Sequence, residues 1–162
     1  MDKLTVICVD DQREVLNALT NDLSLFSELI EIEACESGQE VLRLVEEIDN
    51  QGDHVALVIS DQVMPEMTGV ELLSNIHGDA RFVNTKKLLL TGLATHADTI
   101  RAINEAGLDF YIAKPWSTLE LHQKVKELLT AYLLENGMDY QEFRDIIDQE
   151  VLLKFMRNGG GI

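Results

Sequence analysis

Five side chains of complementary chemistry are scattered along this sequence: the adjacent acids Asp10 and Asp11, the acid Asp61, the hydroxyl of Thr91 and the ammonium of Lys114. Three carboxylates brought together repel one another, and a hard divalent cation with oxygen ligands relieves the repulsion. Mg2+ suits such a set, because it keeps several waters and needs only one or two direct carboxylates besides phosphate oxygens. A carboxylate beside the ion can act as a nucleophile toward phosphorus. The ion, the ammonium and the hydroxyl would then stabilise charge on the transferring group. That chemistry is available only if the fold gathers the five residues at one place.

The pattern of elements predicts that it does. Short apolar, β-branched runs (Leu4 to Val9, Ile30 to Cys35, Val55 to Ser60, Lys87 to Leu90 and Asp109 to Ala113) alternate with helical stretches of about a dozen residues, the signature of βαβ units and a parallel sheet. Helix starts are marked by Asp11 with Glu14, Ser37 with Glu40, Thr68 with Glu71, Thr95 with Asp98 and Ser117 with Glu120, each a short polar residue three positions before an acid. Gly107 suits a helix C-cap. In open α/β sheets the ligand site lies beyond the carboxyl ends of the strands. Asp10-Asp11, Asp61, Thr91 and Lys114-Pro115 follow the first, third, fourth and fifth strands, so all converge on one rim. After a fifth helix from about Ser117 to Glu135, Asn136-Gly137 breaks the pattern. A sixth helix is expected from about Asp139 to Met156, opened by Asp139 with Glu142, before the flexible Gly159-Gly160-Gly161 end. The division is therefore one domain over 1–135 and a helical extension over 136–162.

Composition narrows the function classes. Thirteen basic against 29 acidic residues give a net charge of −16, which repels nucleic-acid phosphates. No apolar stretch approaches the roughly 20 residues of a membrane span, and the start of the chain lacks the features of a signal peptide. A cytoplasmic location is expected. Cys8 and Cys35 make no disulfide scaffold, and no paired Cys/His spacing of a zinc site occurs. His54, His77, His96 and His122 lack mutual ligand spacing and read as surface or loop residues.

The segment Asp61-Gln62-Val63-Met64-Pro65-Glu66-Met67-Thr68-Gly69 resembles the acceptor loop of response-regulator receivers, the phosphorelay family that includes chemotaxis regulators. Asp10-Asp11, Leu90-Thr91-Gly92 and Lys114-Pro115 are similar to that family's other signatures, in the same order, and the resemblance spans about residues 3 to 131. It implies a flavodoxin-like, doubly wound sheet of five parallel strands in order 2-1-3-4-5, here with an extra C-terminal helix. It also implies that Asp61 accepts a phosphoryl group from a histidine kinase or phosphotransfer protein. Mg2+ would be held by Asp11 and Asp61, by Asp10 mainly through water and by the Val63 backbone carbonyl. Thr91 and Lys114 would hold phosphoryl oxygens, and Tyr111 would be the switching aromatic that moves with Thr91. Val63 and Leu93, two positions after Asp61 and Thr91, would flank the phosphoryl group. Both are apolar, so neither can orient an attacking water.

Two other readings stand beside this one. A magnesium-dependent phosphohydrolase also uses an aspartyl nucleophile, but usually with a second acid close behind it and a cap; here Gln62-Val63 follows Asp61 and no cap-sized insertion exists. A degenerate interaction module would have lost polar site residues that this chain retains. Trp116 is read equally as a packing residue or part of a partner surface. The downstream target is a protein of unknown identity. Phe143, Ile146 and Ile147 form a stripe able to dock on the chain's own domain, and Val151 to Met156 carry further apolar groups fit for a partner or a homodimer.

Overall fold

The computed structural model describes residues 3–92 and 96–159, the side chains of His96 and Asp98 aside. Five parallel strands, β1 (Leu4–Val9), β2 (Ile30–Cys35), β3 (His54–Ser60), β4 (Lys86–Thr91) and β5 (Phe110–Ala113), form one sheet in the order β2-β1-β3-β4-β5. They are joined by α1 (Arg13–Asp22), α2 (Gly38–Asn50), α3 (Gly69–His77) and α4 (His96–Glu105), and followed by α5 (Thr118–Glu135) and α6 (Gln149–Arg157). Strand alternation sorts the core into two layers. Leu4, Val6 and Cys8 of β1 pack with Leu16 and Leu19 of α1 and Leu121, Val125 and Leu129 of α5. Ile7 and Val9 face the other way, toward Val41 and Val45 of α2 and Leu72, Leu73 and Ile76 of α3. Burying both faces makes the central strands continuously apolar.

Among the described residues, the starts of α1, α2, α3 and α5 follow the expected residues with one exception. Ser37 and Ser117 accept the N–H groups of Glu40 and Glu120, and Thr68 with Glu71 forms the full reciprocal box. Asp11 does not cap α1. The Asp10 carboxylate takes the Gln12 N–H at 2.8 Å, the chain stays extended through Gln12, and Gln12 itself stands at the cap position without a side-chain bond. Thr95 and Leu93 lie outside the described residues, as do Gly160 and Gly161. Gly107 adopts a positive φ of 62° after α4 and packs directly against the His77 ring, so a side chain would be excluded there on both counts.

The expected single helix over Asp139 to Met156 is instead two pieces. A 3-10 segment, Tyr140–Ile146, is kinked at Phe143; Ile147 is extended, and Asp148 then caps α6. The break lets Phe143, Ile146 and Ile147 all enter the core beneath α5. Asp148 fixes it: its N–H donates to Thr130 Oγ1 at 2.8 Å, and its carboxylate accepts from Gln123 Nε2 at 2.8 Å and from the Val151 N–H at 3.0 Å. Among the described residues no helix is long and apolar enough to cross a membrane.

Candidate functional site

Asp10, Asp61 and Lys114 each stand one position beyond the last ladder pair of their strand, held there by one more backbone hydrogen bond, while Thr91 is the last paired residue of β4. Asp10 N–H donates to the Cys35 carbonyl at 3.2 Å, Asp61 N–H to the Val9 carbonyl at 3.1 Å and Lys114 N–H to the Thr91 carbonyl at 3.2 Å. The sheet therefore sets their spacing. Because β1 lies between β2 and β3, the chain leaves its strands in opposite directions there, and the crevice opens over β1 and β3.

In that crevice one oxygen from each of Asp10, Asp11 and Asp61 lies within 4.8 Å of the others. Asp10 and Asp61 are buried and Asp11 is exposed. Lys114 reaches across from β5, its Nζ 2.7 Å from Asp10 Oδ2 and 3.5 Å from Asp61 Oδ2. One cation against three crowded acids leaves the site acidic, with oxygen donors only, a set that fits a hard divalent cation such as Mg2+.

The loop after Asp61 is built to keep that carboxylate in place. Asp61 Oδ1 accepts the Gln62 N–H at 2.8 Å, which leaves Oδ2 toward Lys114. Buried Gln62 closes the loop twice: its carbonyl accepts the Gly69 N–H at 3.0 Å, and its side-chain Oε1 accepts the Val70 N–H at 2.9 Å. Gly69 must be glycine, because a Cβ there would sit 2.2 Å from the Asp61 carbonyl oxygen. Met64 is buried, Glu66 takes a positive φ of 69°, and Val63 is half exposed beside the site.

Thr91 is buried at the end of β4, and the half-buried Tyr111 donates its hydroxyl to the Thr91 carbonyl at 3.3 Å. Lys114-Pro115 is a cis peptide. All the residues singled out in the sequence for phosphoryl chemistry, apart from Leu93, thus lie at this rim or directly against it.

A family model for the response regulator receiver domain matches residues 6–126. The chain belongs to the response regulator receiver family. Among similar receivers, chemotaxis protein CheY1 of Helicobacter pylori is 30% identical over 126 residues, covering 78% of this chain and 97% of that protein. Hydrogenase transcriptional regulatory protein HoxA of Cupriavidus necator is 28% identical over 134 residues, 83% of this chain but 26% of that regulator. Histidine kinase P4 of Formosa agariphila is 30% identical over 128 residues, of which the chain spans only 9% of the kinase. Of solved receiver structures, the signal receiver domain of an HD domain-containing protein from Pseudomonas fluorescens superposes with a TM-score of 0.73 at 28% identity, covering 85% of this chain and 94% of that one. The receivers of this family are signalling domains, and the Tyr140–Arg157 region lies beyond the matched segment.

The structure refines the reading of three kinds of isolated residue. Of the two readings of Trp116, the packing one is met: the half-buried ring rests on the core, and its Nε1 donates to Asp22 Oδ2 at 2.8 Å. His54, His77 and His122, read as surface or loop residues, are half-buried within β3, α3 and α5; His122 bonds the Asp22 carbonyl through Nε2 and meets Phe26 edge-on. Gln62 was missed as a positioning residue. Its signal was its place between Asp61 and the apolar Val63-Met64-Pro65.

Proposed function

We propose that this receiver accepts a phosphoryl group on Asp61 from the phosphohistidine of a kinase or phosphotransfer protein and passes the signal on by changing its contacts with a downstream protein. The observation that carries the reading is the joint placement of buried Asp61, buried Asp10 and Lys114 Nζ within one crevice, with Asp11 at its mouth. A carboxylate oxygen of Asp61 attacks phosphorus, the P–N bond breaks, and its electron pair returns to the donor imidazole. Asp10, Asp11, Asp61 and the Val63 carbonyl would hold Mg2+, which when bound neutralises charge on the phosphoryl oxygens. Lys114, now paired with the acids, would turn to the phosphoryl group. Thr91 would offer its hydroxyl to it. Tyr111, tied to the Thr91 backbone, would follow that movement, so that β4 and β5 carry the change to α5. The chemistry is the domain's own phosphorylation and dephosphorylation, with no other turnover. With Val63 apolar beside the site, self-dephosphorylation is slow.

On this reading residues 1–135 are the signalling unit, residues 136–162 an added helical segment available for partner or self-contact, and the protein works in the cytoplasm without binding nucleic acid directly. The test pairs two assays on the full chain with Mg2+: phosphoryl transfer from a phosphorylated histidine kinase, and hydrolysis of small phosphate esters. Transfer without ester turnover supports the reading. Sustained ester turnover would make the protein a phosphohydrolase, and neither activity would make it a degenerate module.

A further inference from the structure

None of the nine residues of α6 is buried. Val151, Leu152 and Phe155 are half covered, with Leu152 packed on the core beside α5. The opposite side is bare: Leu153 is 54% and Met156 49% exposed, and Glu150, Lys154 and Arg157 surround them. Glu150, Leu153 and Arg157 fall at i, i+3 and i+7, which makes them one seam along the helix. Neither Glu150 nor Arg157 is in an ion pair among the described residues.

We propose that this seam is the contact between two copies of the chain, paired as antiparallel α6 helices across a two-fold axis. Run against itself in the opposite direction, the seam is self-complementary. Glu150 meets Arg157 of the second copy, Arg157 meets its Glu150, and the two Leu153 side chains meet next to the axis with Met156 alongside. An isologous contact requires that each residue find its complement in the same patch, and this patch supplies both charges and the apolar centre. A net charge of −16 opposes association elsewhere on the surface. The last turn of α6 carries Lys154 and Arg157, so it offers a second copy positive charge on an otherwise strongly acidic chain. One short helix per protomer is a small interface, so the dimer is concentration-dependent. The inference does not rest on the phosphoryl-transfer reading.

The test is sedimentation equilibrium of the full chain without phosphoryl donor, in the parent, Glu150→Arg, Arg157→Glu, the double exchange and Leu153→Asp, with circular dichroism melts to show that each folds. The parent should dimerise with rising concentration, each single reversal should weaken the dimer roughly tenfold, and Leu153→Asp should abolish it. The double exchange should restore the parent's affinity, because antiparallel pairing exchanges the two charges. A parent that stays monomeric, or a double exchange as weak as the single ones, would overturn the proposal; the first outcome would leave the α6 face to a different protein.

Discussion

At the carboxyl end of the sheet the ammonium of Lys114 meets the carboxylates of Asp10 and Asp61, whereas at the amino end of β4 the ammonium of Lys87 is buried, 1% exposed, against little more than the Thr85 carbonyl. Lys87 lies in β4 and Lys114 directly follows the neighbouring β5, and both are largely out of water. Only Lys114 has close counter-charges. For Lys87, desolvation dominates: it pushes the amine down to about 8, against the pull of Asp109 and with a small further push from Lys86. The contrast separates two kinds of buried charge. At the rim, acids and base each need the other, so losing the base costs stability. At the opposite end the charge is a burden to the fold, so losing it should help.

The rim also depends on backbone fit, and there the largest effect is expected. Gly69→Ala would drive a Cβ into the Asp61 carbonyl, which cannot move without displacing the acceptor itself. A loss of about 3–5 kcal/mol in denaturant-melt stability is expected, with phosphorylation reduced in the fraction that folds. Stability within about 0.5 kcal/mol of the parent would show that the acceptor loop is softer than its geometry implies.

Next comes Lys114→Ala. It leaves two buried carboxylates without their cation and should cost about 2–4 kcal/mol, measured by urea melts, with millimolar Mg2+ recovering part of the loss. If the variant were as stable as the parent without Mg2+, the rim ion pairs would be weak ones and the contrast with Lys87 would fail.

The smallest effect has the opposite sign. Lys87→Met keeps the volume and removes the buried amine, and should raise stability by on the order of 1–3 kcal/mol at neutral pH. Lys87 binds its proton less tightly folded than unfolded, so its penalty is complete below about 8 and fades as pH rises toward the ordinary value of 10.5. The advantage of Lys87→Met should shrink over that window. Burial raises the Cys8 thiol and pushes the Cys35 thiol and the Tyr132 hydroxyl up to about 12, so all three make the fold lose stability in alkali. They act equally on both proteins, and the difference between the two melts isolates Lys87. A gap that stayed constant with pH would mean that packing, not charge, separates the two proteins.

How much of this was legible in the sequence follows from the same contrast. Asp10, Asp11, Asp61, Thr91 and Lys114 stand out because acids, a hydroxyl and an amine at strand ends are unusual company for apolar runs, and a parallel sheet places all its strand ends together. A parallel sheet with strands covered on both faces followed from that pattern, and the strand order from the resemblance to receivers. Lys87 was not legible: a lysine opening a strand reads as solvated, and nothing local reveals that its side chain is buried with its ammonium on the Thr85 carbonyl. The break between the Tyr140–Ile146 segment and α6 was hidden for a related reason. Helical spacing of Phe143, Ile146 and Ile147 fits a continuous helix, but Thr130 and Gln123 on a distant part of the chain hold Asp148 in a capping conformation. The cue present locally was Asp148 followed by the acid Glu150, an N-terminal signature inside an otherwise helical run.

The most direct test of the account is intact-mass measurement of the full chain after incubation with acetyl phosphate and Mg2+, for the parent and for Asp61→Asn. The account predicts one added phosphoryl group in the parent, dependent on Mg2+, and none in the variant. A phosphoryl group of equal occupancy in Asp61→Asn would contradict it.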